Sequence, residues 1–213
     1  MSSFIDSSIA KTLNHLFRGI NHPTLSCQNP ACVDRHGQRS SMITIPVGAA
    51  EEFTSLDIDI ANFNSLAAVL RAFLDDAETV SLQSWACPAC GDTSAPAKRN
   101  RLLAAPDLLC VQLNRFRTQF RPGVDAAATQ TYLQHHVHCE ETLTIEDTHY
   151  RQCARIYHKG ASLRTGHYYA ICRHERPEGP WWYYNDRERR VARPEDDDAT
   201  EARVYLALYV KDA

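Results

Sequence analysis

The stretch that decides the fold is residues 158–186, which contains two segments rich in aromatic and β-branched residues. Residues 167–173 read His-Tyr-Tyr-Ala-Ile-Cys-Arg, and residues 181–186 read Trp-Trp-Tyr-Tyr-Asn-Asp. Such residues favour β-strands, and the prolines and glycine between the two segments are typical of a turn. We therefore predict a β-hairpin that brings His167, at the start of one strand, close to Asn185, at the end of its partner.

His167 is a candidate catalytic base. An imidazole beside a side-chain amide or carboxylate is the arrangement by which enzymes fix the tautomer of a general base, and Asn185 and Asp186 offer these two groups. Gly160 and Gly166 bracket the loop that leads to His167, and glycine lets a substrate backbone approach closely. The alternative interpretation is a histidine with a purely structural role on its strand.

The cysteines fall into a pattern that suits a metal. The chain has eight cysteines, of which four form the pairs Cys27-x4-Cys32 and Cys87-x2-Cys90. Two such turns can supply the four tetrahedral sulfur ligands that Zn²⁺ prefers, although the first gap is wider than usual. A redox pair at Cys87 and Cys90, or buried reduced thiols, are the competing interpretations.

The segment around His167 resembles the histidine box of ubiquitin-specific proteases, the cysteine proteases that remove ubiquitin. The resemblance is carried by Gly-His-Tyr-Tyr-Ala at residues 166–170 and by Trp-Trp-Tyr-Tyr-Asn-Asp at residues 181–186. It extends from about residue 8 to about residue 210. The resemblance implies that His167 is the general base, that Asn185 is the third triad residue and that Asp186 supports or replaces it.

The same resemblance implies an α+β fold in which a papain-like cysteine-protease palm, built on an antiparallel β-sheet, carries zinc-ribbon fingers. Within a partial protease domain over residues 1–213, the fingers would occupy about residues 20–97 and the palm about residues 98–213. The fingers would hold one structural Zn²⁺ and grip ubiquitin, so ubiquitin or a ubiquitinated protein is the expected partner. The zinc ligands would be Cys27, Cys32, Cys87 and Cys90.

The family's nucleophile lies in a box of the form Gly-x-Thr-Cys-Tyr-x-Asn on a separate thumb subdomain, and no stretch of this sequence matches that box. We therefore expect a chain without the thumb and without the nucleophilic cysteine, which is inactive alone because a base without a nucleophile performs no acyl transfer. With a thumb-bearing partner segment it would take part in cysteine-type deubiquitination, the hydrolysis of isopeptide bonds at the ubiquitin C-terminus.

Two other functions stay open at this point. One is a catalytically inactive ubiquitin-binding pseudoprotease or scaffold module, which still binds ubiquitin and has lost the catalytic activity. The other is a zinc-ribbon interaction protein without affinity for ubiquitin.

Composition excludes several classes of function. The chain has 213 residues, 44% of them hydrophobic, and a formal charge of −3, which gives no reason to expect nucleic-acid binding. No apolar run approaches the roughly 20 residues of a membrane span, so no membrane is expected. The first residues lack the basic and apolar regions of a signal peptide, and we therefore expect an intracellular protein, cytoplasmic or nuclear or both.

Hydrophobic periodicity predicts the remaining elements. They are a helix over residues 7–18, strands over 42–47 and 53–60, a helix over 65–78 that Asn64 or Ser65 caps, a strand buried on both faces over 108–111, a loop over 117–132, and a closing strand over 204–210.

Overall fold

The computed structural model describes residues 7–33, 44–46, 50–75, 78–79, 85–119, 129–160, 165–173, 179–197 and 202–212. The helices of these residues are α1 (Ser7–Phe17), α2 (Leu66–Asp75) and α3 (Pro194–Asp197). The strands are β1 (Gly19–Asn21), β2 (Thr24–Ser26), β3 (Thr44–Pro46), β4 (Glu51–Phe53), β5 (Leu56–Ile58), β6 (Glu78–Thr79), β7 (Ala97–Arg99), β8 (Leu102–Ala104), β9 (Leu108–Leu113), β10 (Phe116–Gln119), β11 (Thr129–Tyr132), β12 (Thr142–Ile145), β13 (Thr148–Lys159), β14 (His167–Arg173), β15 (Trp181–Asn185), β16 (Glu188–Val191) and β17 (Ala202–Lys211).

The largest sheet in the described part of the chain has the strand order β16-β15-β14-β13-β17-β9-β5, with β12 also paired to β13. Its neighbouring strands are antiparallel except for β5 and β9, which run parallel. The predicted α+β class with an antiparallel central sheet is therefore confirmed.

The last strand of this sheet, β17, lies at its centre, between β13 and β9. Ala207 and Tyr209 are completely buried on one face, whereas Leu206 and Leu208 on the other face are half-buried. The predicted half-buried closing strand is therefore present, although Val210 of its more apolar set is exposed and the completely buried face carries Ala207 and Tyr209.

Strand β9 differs from its prediction in burial. Leu109, Val111 and Leu113 are completely buried, but the residues between them are only half-buried. The continuous apolar run over residues 108–111 therefore does not mark a strand that is buried on both faces. Leu109 and Val111 of this run face the core, and Cys110 lies on the less covered face of the strand.

The prediction of a loop over residues 117–132 is wrong at both ends of that range. Strands β10 and β11 form an antiparallel ladder in which Phe116 pairs with Tyr132 and Gln119 pairs with Thr129. The polar composition of these strands hides them from a search for apolar alternation, because hydrogen bonding along the ladder does not require an apolar face.

The helix that begins at Leu66 has the predicted cap. Ser65 Oγ accepts a hydrogen bond from the amide of Ala68, and the carboxylate of Glu140 accepts one from the amide of Ala67. Both contacts satisfy amide groups that the first turn of a helix leaves without partners. Among the described residues, none of the helices combines the length and the apolar character that crossing a membrane requires.

The contacts divide the chain into two compact units. The larger unit comprises Met1–Phe17, Thr54–Leu70 and Pro106–Ala213, and it contains the large sheet. The smaller unit comprises Arg18–Phe53 and Arg71–Ala105, and it contains two small sheets with the strand orders β4-β1-β8 and β3-β2-β7-β6. The limits of fingers and palm at about residues 97 and 98 stay a prediction.

Candidate active site and metal centre

The predicted hairpin is present as strands β14 and β15. Ile171 pairs with Tyr183 across the ladder, so the odd-numbered residues of both strands share one face. On this face His167 begins β14 and Asn185 ends β15, and both side chains are half-buried. The hairpin thus brings the two residues to the same edge of the sheet.

His167 and Asn185 are hydrogen-bonded between Nε2 of the imidazole and Oδ1 of the amide. The other end of the amide is also engaged, because Nδ2 of Asn185 donates to the hydroxyl of Tyr183 at 2.9 Å. Since Oδ1 can only accept, Nε2 of His167 carries the proton of this bond. The ring is then in the tautomer whose Nδ1 has a free lone pair, which is the state that a general base requires.

Asp186 lies in a different position from Asn185. It occupies the two-residue turn between β15 and β16, has a φ of 52° and is exposed. Aspartate tolerates this left-handed conformation, and such turns commonly connect antiparallel strands. The residue that the structure brings to His167 is therefore Asn185.

A cavity of about 440 Å³ opens beside the pair. Helix α3 forms one wall, where the carbonyl of Asp196 accepts a hydrogen bond of 2.8 Å from the Tyr169 hydroxyl. Arg190 donates two hydrogen bonds, of 2.6 and 2.7 Å, to the carboxylate of Asp196, which hold the pKa of this carboxyl below its usual value. The lining residues are Lys159, His167, Tyr169, Tyr183, Asn185, Glu195 and Asp196.

Gly160 and Gly166, on either side of the segment that leads into His167, both lie close to the ring of His158. A Cβ atom added to Gly166 would lie 2.0 Å from Nε2 of His158, and Gly160 has a φ of 148°, so both positions require glycine. Residues 161–164 lie outside the described residues. His158 is completely buried, and burial lowers its pKa. The rings packed around it are those of Phe116, Tyr132, Tyr168 and Tyr205.

Four cysteines lie outside the two Cys pairs, and their thiols are held protonated. Burial raises the pKa of Cys139 to about 12 and that of Cys153 to about 11, and it also raises the pKa of Cys110 and of Cys172. None of the eight cysteines lines the cavity beside His167, and all eight belong to the described part of the chain. A reactive cysteine needs the opposite environment, one that favours the thiolate.

The four cysteines predicted as metal ligands come together in the smaller unit. Their sulfur atoms all lie within 4.8 Å of one another. Cys27 and Cys90 are 3.8 Å apart at their sulfur atoms, and Cys32 and Cys87 are 3.7 Å apart. A tetrahedron with Zn–S bonds of about 2.3 Å has edges of about 3.8 Å, so this donor set fits Zn²⁺. The cluster can hold a metal ion.

The wide first gap of the Cys27-x4-Cys32 pair is accommodated by Asn29. Its side chain accepts a hydrogen bond from the amide of Ala31, and its carbonyl accepts one from the amide of Cys32, which closes a tight turn.

The second pair carries the more acidic thiol. Burial opposes ionisation of Cys87, but the amides of Cys90 and Ala89 donate to its sulfur and lower its pKa to about 7. In contrast, burial raises the pKa of Cys27 to about 12. The turn at Cys87 therefore stabilises a thiolate, the form that binds a metal.

Tyr183 and Arg190 contact the site, although the sequence analysis did not identify either of them as a site residue. Tyr183 bonds the amide of Asn185, and the guanidinium of Arg190 lies 4.1 Å from the centre of the Tyr183 ring. A usable signal was present, because residues two apart on a strand share a face, and Tyr183 is two residues before Asn185.

The sequence pattern of the family described as "Ubiquitin carboxyl-terminal hydrolase" matches residues 5–209. Ubiquitin carboxyl-terminal hydrolase 10 of Saccharomyces cerevisiae is 29% identical over 133 residues, which cover 61% of this chain and 16% of that protein. Ubiquitin carboxyl-terminal hydrolase 3 of Homo sapiens is 27% identical over 153 residues, which cover 69% of this chain and 28% of that protein. The chain therefore spans less than a third of these relatives.

Solved structures share the fold. One is the SAGA DUB module Ubp8/Sgf11/Sus1/Sgf73 bound to monoubiquitin, in which a chain is similar with a TM-score of 0.74 at 19% identity. The similarity covers 94% of this chain and 42% of that one. The same module bound to ubiquitin aldehyde gives the same TM-score and the same coverage.

Proposed function

The chain belongs to the ubiquitin carboxyl-terminal hydrolase family, and we propose on this basis that it supplies the general base and the ubiquitin-holding part of a cysteine-type deubiquitinase. The observation that carries the proposal is the hydrogen-bonded pair of His167 and Asn185 beside the cavity. The relatives are named ubiquitin carboxyl-terminal hydrolases, and similar folds are solved with ubiquitin or ubiquitin aldehyde bound. Ubiquitin or a ubiquitinated protein is the partner that we propose for this chain.

In this function Nδ1 of His167 takes the proton of a cysteine thiol, and Asn185 holds the proton on Nε2 and orients the ring. The thiolate attacks the carbonyl carbon of the isopeptide bond at the ubiquitin C-terminus, and the imidazolium then returns the proton to the leaving lysine amine. Water hydrolyses the resulting thioester and releases ubiquitin. Asp186 is retained in the proposal only as an outer support, since it lies in the exposed turn.

The positions and the protonation of the cysteines in this chain support the proposal that the nucleophile comes from another segment. None of them lines the cavity, and burial keeps the four thiols outside the metal cluster protonated. We propose that a thumb-bearing segment, in the same protein or in a partner, places its thiol at Nδ1 of His167.

We further propose that the four-cysteine cluster holds one structural Zn²⁺ and that the smaller unit forms the fingers that grip ubiquitin. The sulfur separations match the edges of a zinc tetrahedron. Cys27, Cys32, Cys87 and Cys90 would hold the ion, which would link the turns at Cys27 and Cys87. Free cysteines throughout the described chain suit a reducing compartment, which supports an intracellular place in the cytoplasm or nucleus.

The second candidate function is a ubiquitin-binding pseudoprotease. It is favoured by one observation, which is the absence of any of the eight cysteines from the cavity beside His167. The two functions differ only in whether another segment places a cysteine thiol beside His167.

The test is complementation. The chain is fused to, or mixed with, the thumb of a related protease, and cleavage of a ubiquitin C-terminal ester is measured. We expect cleavage that His167→Ala lowers by about 10²- to 10⁴-fold, the usual contribution of a general base. As a matched control, His149→Ala changes an exposed histidine on strand β13 and leaves the rate unchanged. A folded fusion that binds ubiquitin but stays inactive contradicts the deubiquitinase and establishes the pseudoprotease.

A further inference from the structure

We propose that Cys90 is the oxidation site of the four-cysteine cluster, where hydrogen peroxide reacts with its sulfur, and that Asn29 restrains this reaction. The inference rests on the Zn²⁺ of the proposed function and goes beyond it, because it gives the four ligands unequal roles. Oxidation at Cys90 would remove one ligand, so that metal binding in the smaller unit depends on peroxide.

The four cysteines of the cluster differ in their exposure to solvent. The exposed fractions of Cys27, Cys32 and Cys87 are 6%, 1% and 2%, whereas Cys90 is exposed. The side chain of Trp85 packs against the three buried cysteines. A small oxidant that approaches the cluster from solvent therefore reaches Cys90 before the other three ligands.

The turn that carries the second pair explains this exposure. The amide of Gly91 donates to the carbonyl of Cys87, and the amide of Cys87 donates to the carbonyl of Asp92, both at 2.8 Å. Gly91 has a φ of 73°, a conformation that glycine adopts without strain. These bonds bring the chain back toward Cys87, and residues 88–90 form the exposed tip of the turn.

Asn29 reaches Cys90 from the turn of the first pair. Its Nδ2 donates to the sulfur of Cys90 at 3.9 Å, while its Oδ1 accepts a hydrogen bond of 2.9 Å from the amide of Ala31. A donor beside a thiolate stabilises the negative charge on sulfur and so lowers its reactivity as a nucleophile. The side chain of Asn29 therefore both shapes its own turn and restrains the exposed ligand.

The oxidation is a reaction of the Cys90 thiolate with one oxygen of hydrogen peroxide. An S–O bond forms, the O–O bond breaks and hydroxide leaves, so sulfur gives two electrons to the peroxide and becomes a sulfenic acid. The thiolate is the form of cysteine that binds a metal. After this step the cluster retains three of its four thiolate ligands.

The cysteines outside the cluster serve as internal references for this reaction. Burial raises the pKa of all four, which are Cys110, Cys139, Cys153 and Cys172. Their sulfur atoms stay protonated, and a protonated thiol reacts slowly with peroxide because the thiolate is the nucleophile.

The experiment uses the full chain, and its zinc content is measured first. The chain is then exposed to limiting hydrogen peroxide with dimedone, which traps sulfenic acids, and peptide mapping identifies the trapped residue. We expect Cys90 to be trapped first and a chromogenic chelator to take up the metal at the same rate. Earlier trapping at any other cysteine, or full retention of the metal by the oxidised chain, would overturn the proposal.

Two matched variants test the restraint by Asn29. Asn29→Asp keeps an oxygen for the amide of Ala31 and replaces the donor at Cys90 by an acceptor. We expect Cys90 to be trapped about tenfold faster in this variant, the rate change that the loss of one hydrogen bond to a charged group produces. Gln28→Glu adds the same charge at the neighbouring exposed position, leaves Nδ2 of Asn29 in place and should react at the wild-type rate. An unchanged rate in Asn29→Asp, or an equal increase in Gln28→Glu, contradicts the restraint.

If Asn29→Asp does not fold, Cys90→His provides the second variant. A histidine nitrogen is an ordinary fourth ligand of structural zinc and has no sulfur to oxidise. Peroxide should release metal from this variant at least about tenfold more slowly than from the wild type, and equal rates of release would overturn the proposal. A folded chain without zinc contradicts the proposed metal site alone, whereas a zinc-loaded chain in which a buried cysteine reacts first contradicts the role of Cys90 alone.

Discussion

Two neighbouring side chains, Asn185 and Asp186, lie in different positions relative to His167. In a thumb-complemented protein, we expect Asn185→Ala to lower the rate by about 10- to 100-fold, because the bond to the imidazolium is a charged one worth about 1.5–3 kcal/mol. Asp186→Ala, in the exposed turn, is expected to stay close to the wild-type rate. The measurement is ubiquitin-ester cleavage by both variants, and a severe loss in Asp186→Ala with a neutral Asn185→Ala would reverse the assignment.

Gly166 packs directly on the buried ring of His158. A methyl group there would overlap Nε2 of His158, and this ring is enclosed by others and has no room to move. We expect Gly166→Ala to lower the free energy of unfolding by about 1–3 kcal/mol, the usual cost of overpacking. Thr165→Ala, at the exposed preceding position, is the control. Chemical denaturation measures both, and equal stabilities for the two variants would contradict this packing.

His158 also predicts how stability depends on pH. Burial lowers its pKa in the folded chain, so between this pKa and the unfolded value of about 6.5 the unfolded chain binds more protons. Its contribution to stability is therefore full above about pH 6.5 and declines as the pH falls. From about pH 7.5 to about pH 5, the wild type should lose more of its free energy of unfolding than His158→Gln loses. Denaturant titrations at both pH values test this, and parallel losses would contradict it.

The sequence predicted His167 and Asn185 together because a hairpin leaves little choice about which residues meet at its open edge. It also offered Asp186 as a support or substitute for Asn185, and here the local backbone decided, since Asp186 occupies a left-handed turn position outside the ladder. The contribution of Tyr183 could not be read from the pattern alone, because a hydrogen bond between residues two apart depends on the rotamers of both side chains.

Among the elements, the turns that carry the four cysteines are expected to depend on metal. Protein purified without chelator should contain about one zinc per chain, and Cys87→Ser should abolish it. Because structural zinc supplies much of the folding free energy of such turns, amide protection should be lost in residues 18–53 and 71–105 and kept in the large sheet. Cys110→Ser, outside the cluster, is the control. Less than a tenth of this zinc in a normally folded wild type would contradict the assignment.

Elements were predicted well where an apolar period exists and poorly where polar ladders replace it. Strand β17 alternates clearly and is half-buried as predicted, and the structure shows that Ala207 and Tyr209 form its buried face. Strands β10 and β11 carry threonine, glutamine and arginine, so their pairing gives no periodic signal. The spacing was enough to assign Cys32 to the cluster. The turn that brings Cys32 there across four intervening residues depends on Asn29, and only the structure shows it.

For the whole molecule, the isolated chain should not react with a thiol-directed ubiquitin probe. The four cysteines outside the metal cluster are held as thiols by burial, and none lines the cavity beside His167. Incubation with the probe and peptide mapping should find no labelled residue, while iodoacetamide on the unfolded chain should modify all eight cysteines. Specific labelling of one cysteine that disappears in His167→Ala would reassign the nucleophile to that residue.

The central place of β17 in the large sheet has a consequence for how the protein is made. On the ribosome, β13 and β9 emerge before β17 and have no direct ladder with each other, so the sheet stays in two halves until residues 202–211 leave the exit tunnel. A premature stop codon between β13 and β17 would leave one edge of β13 and one edge of β9 unpaired in the large sheet, the kind of edge that recruits other chains. Even a late nonsense allele is therefore expected to yield an aggregating or rapidly degraded product instead of a slightly shortened one.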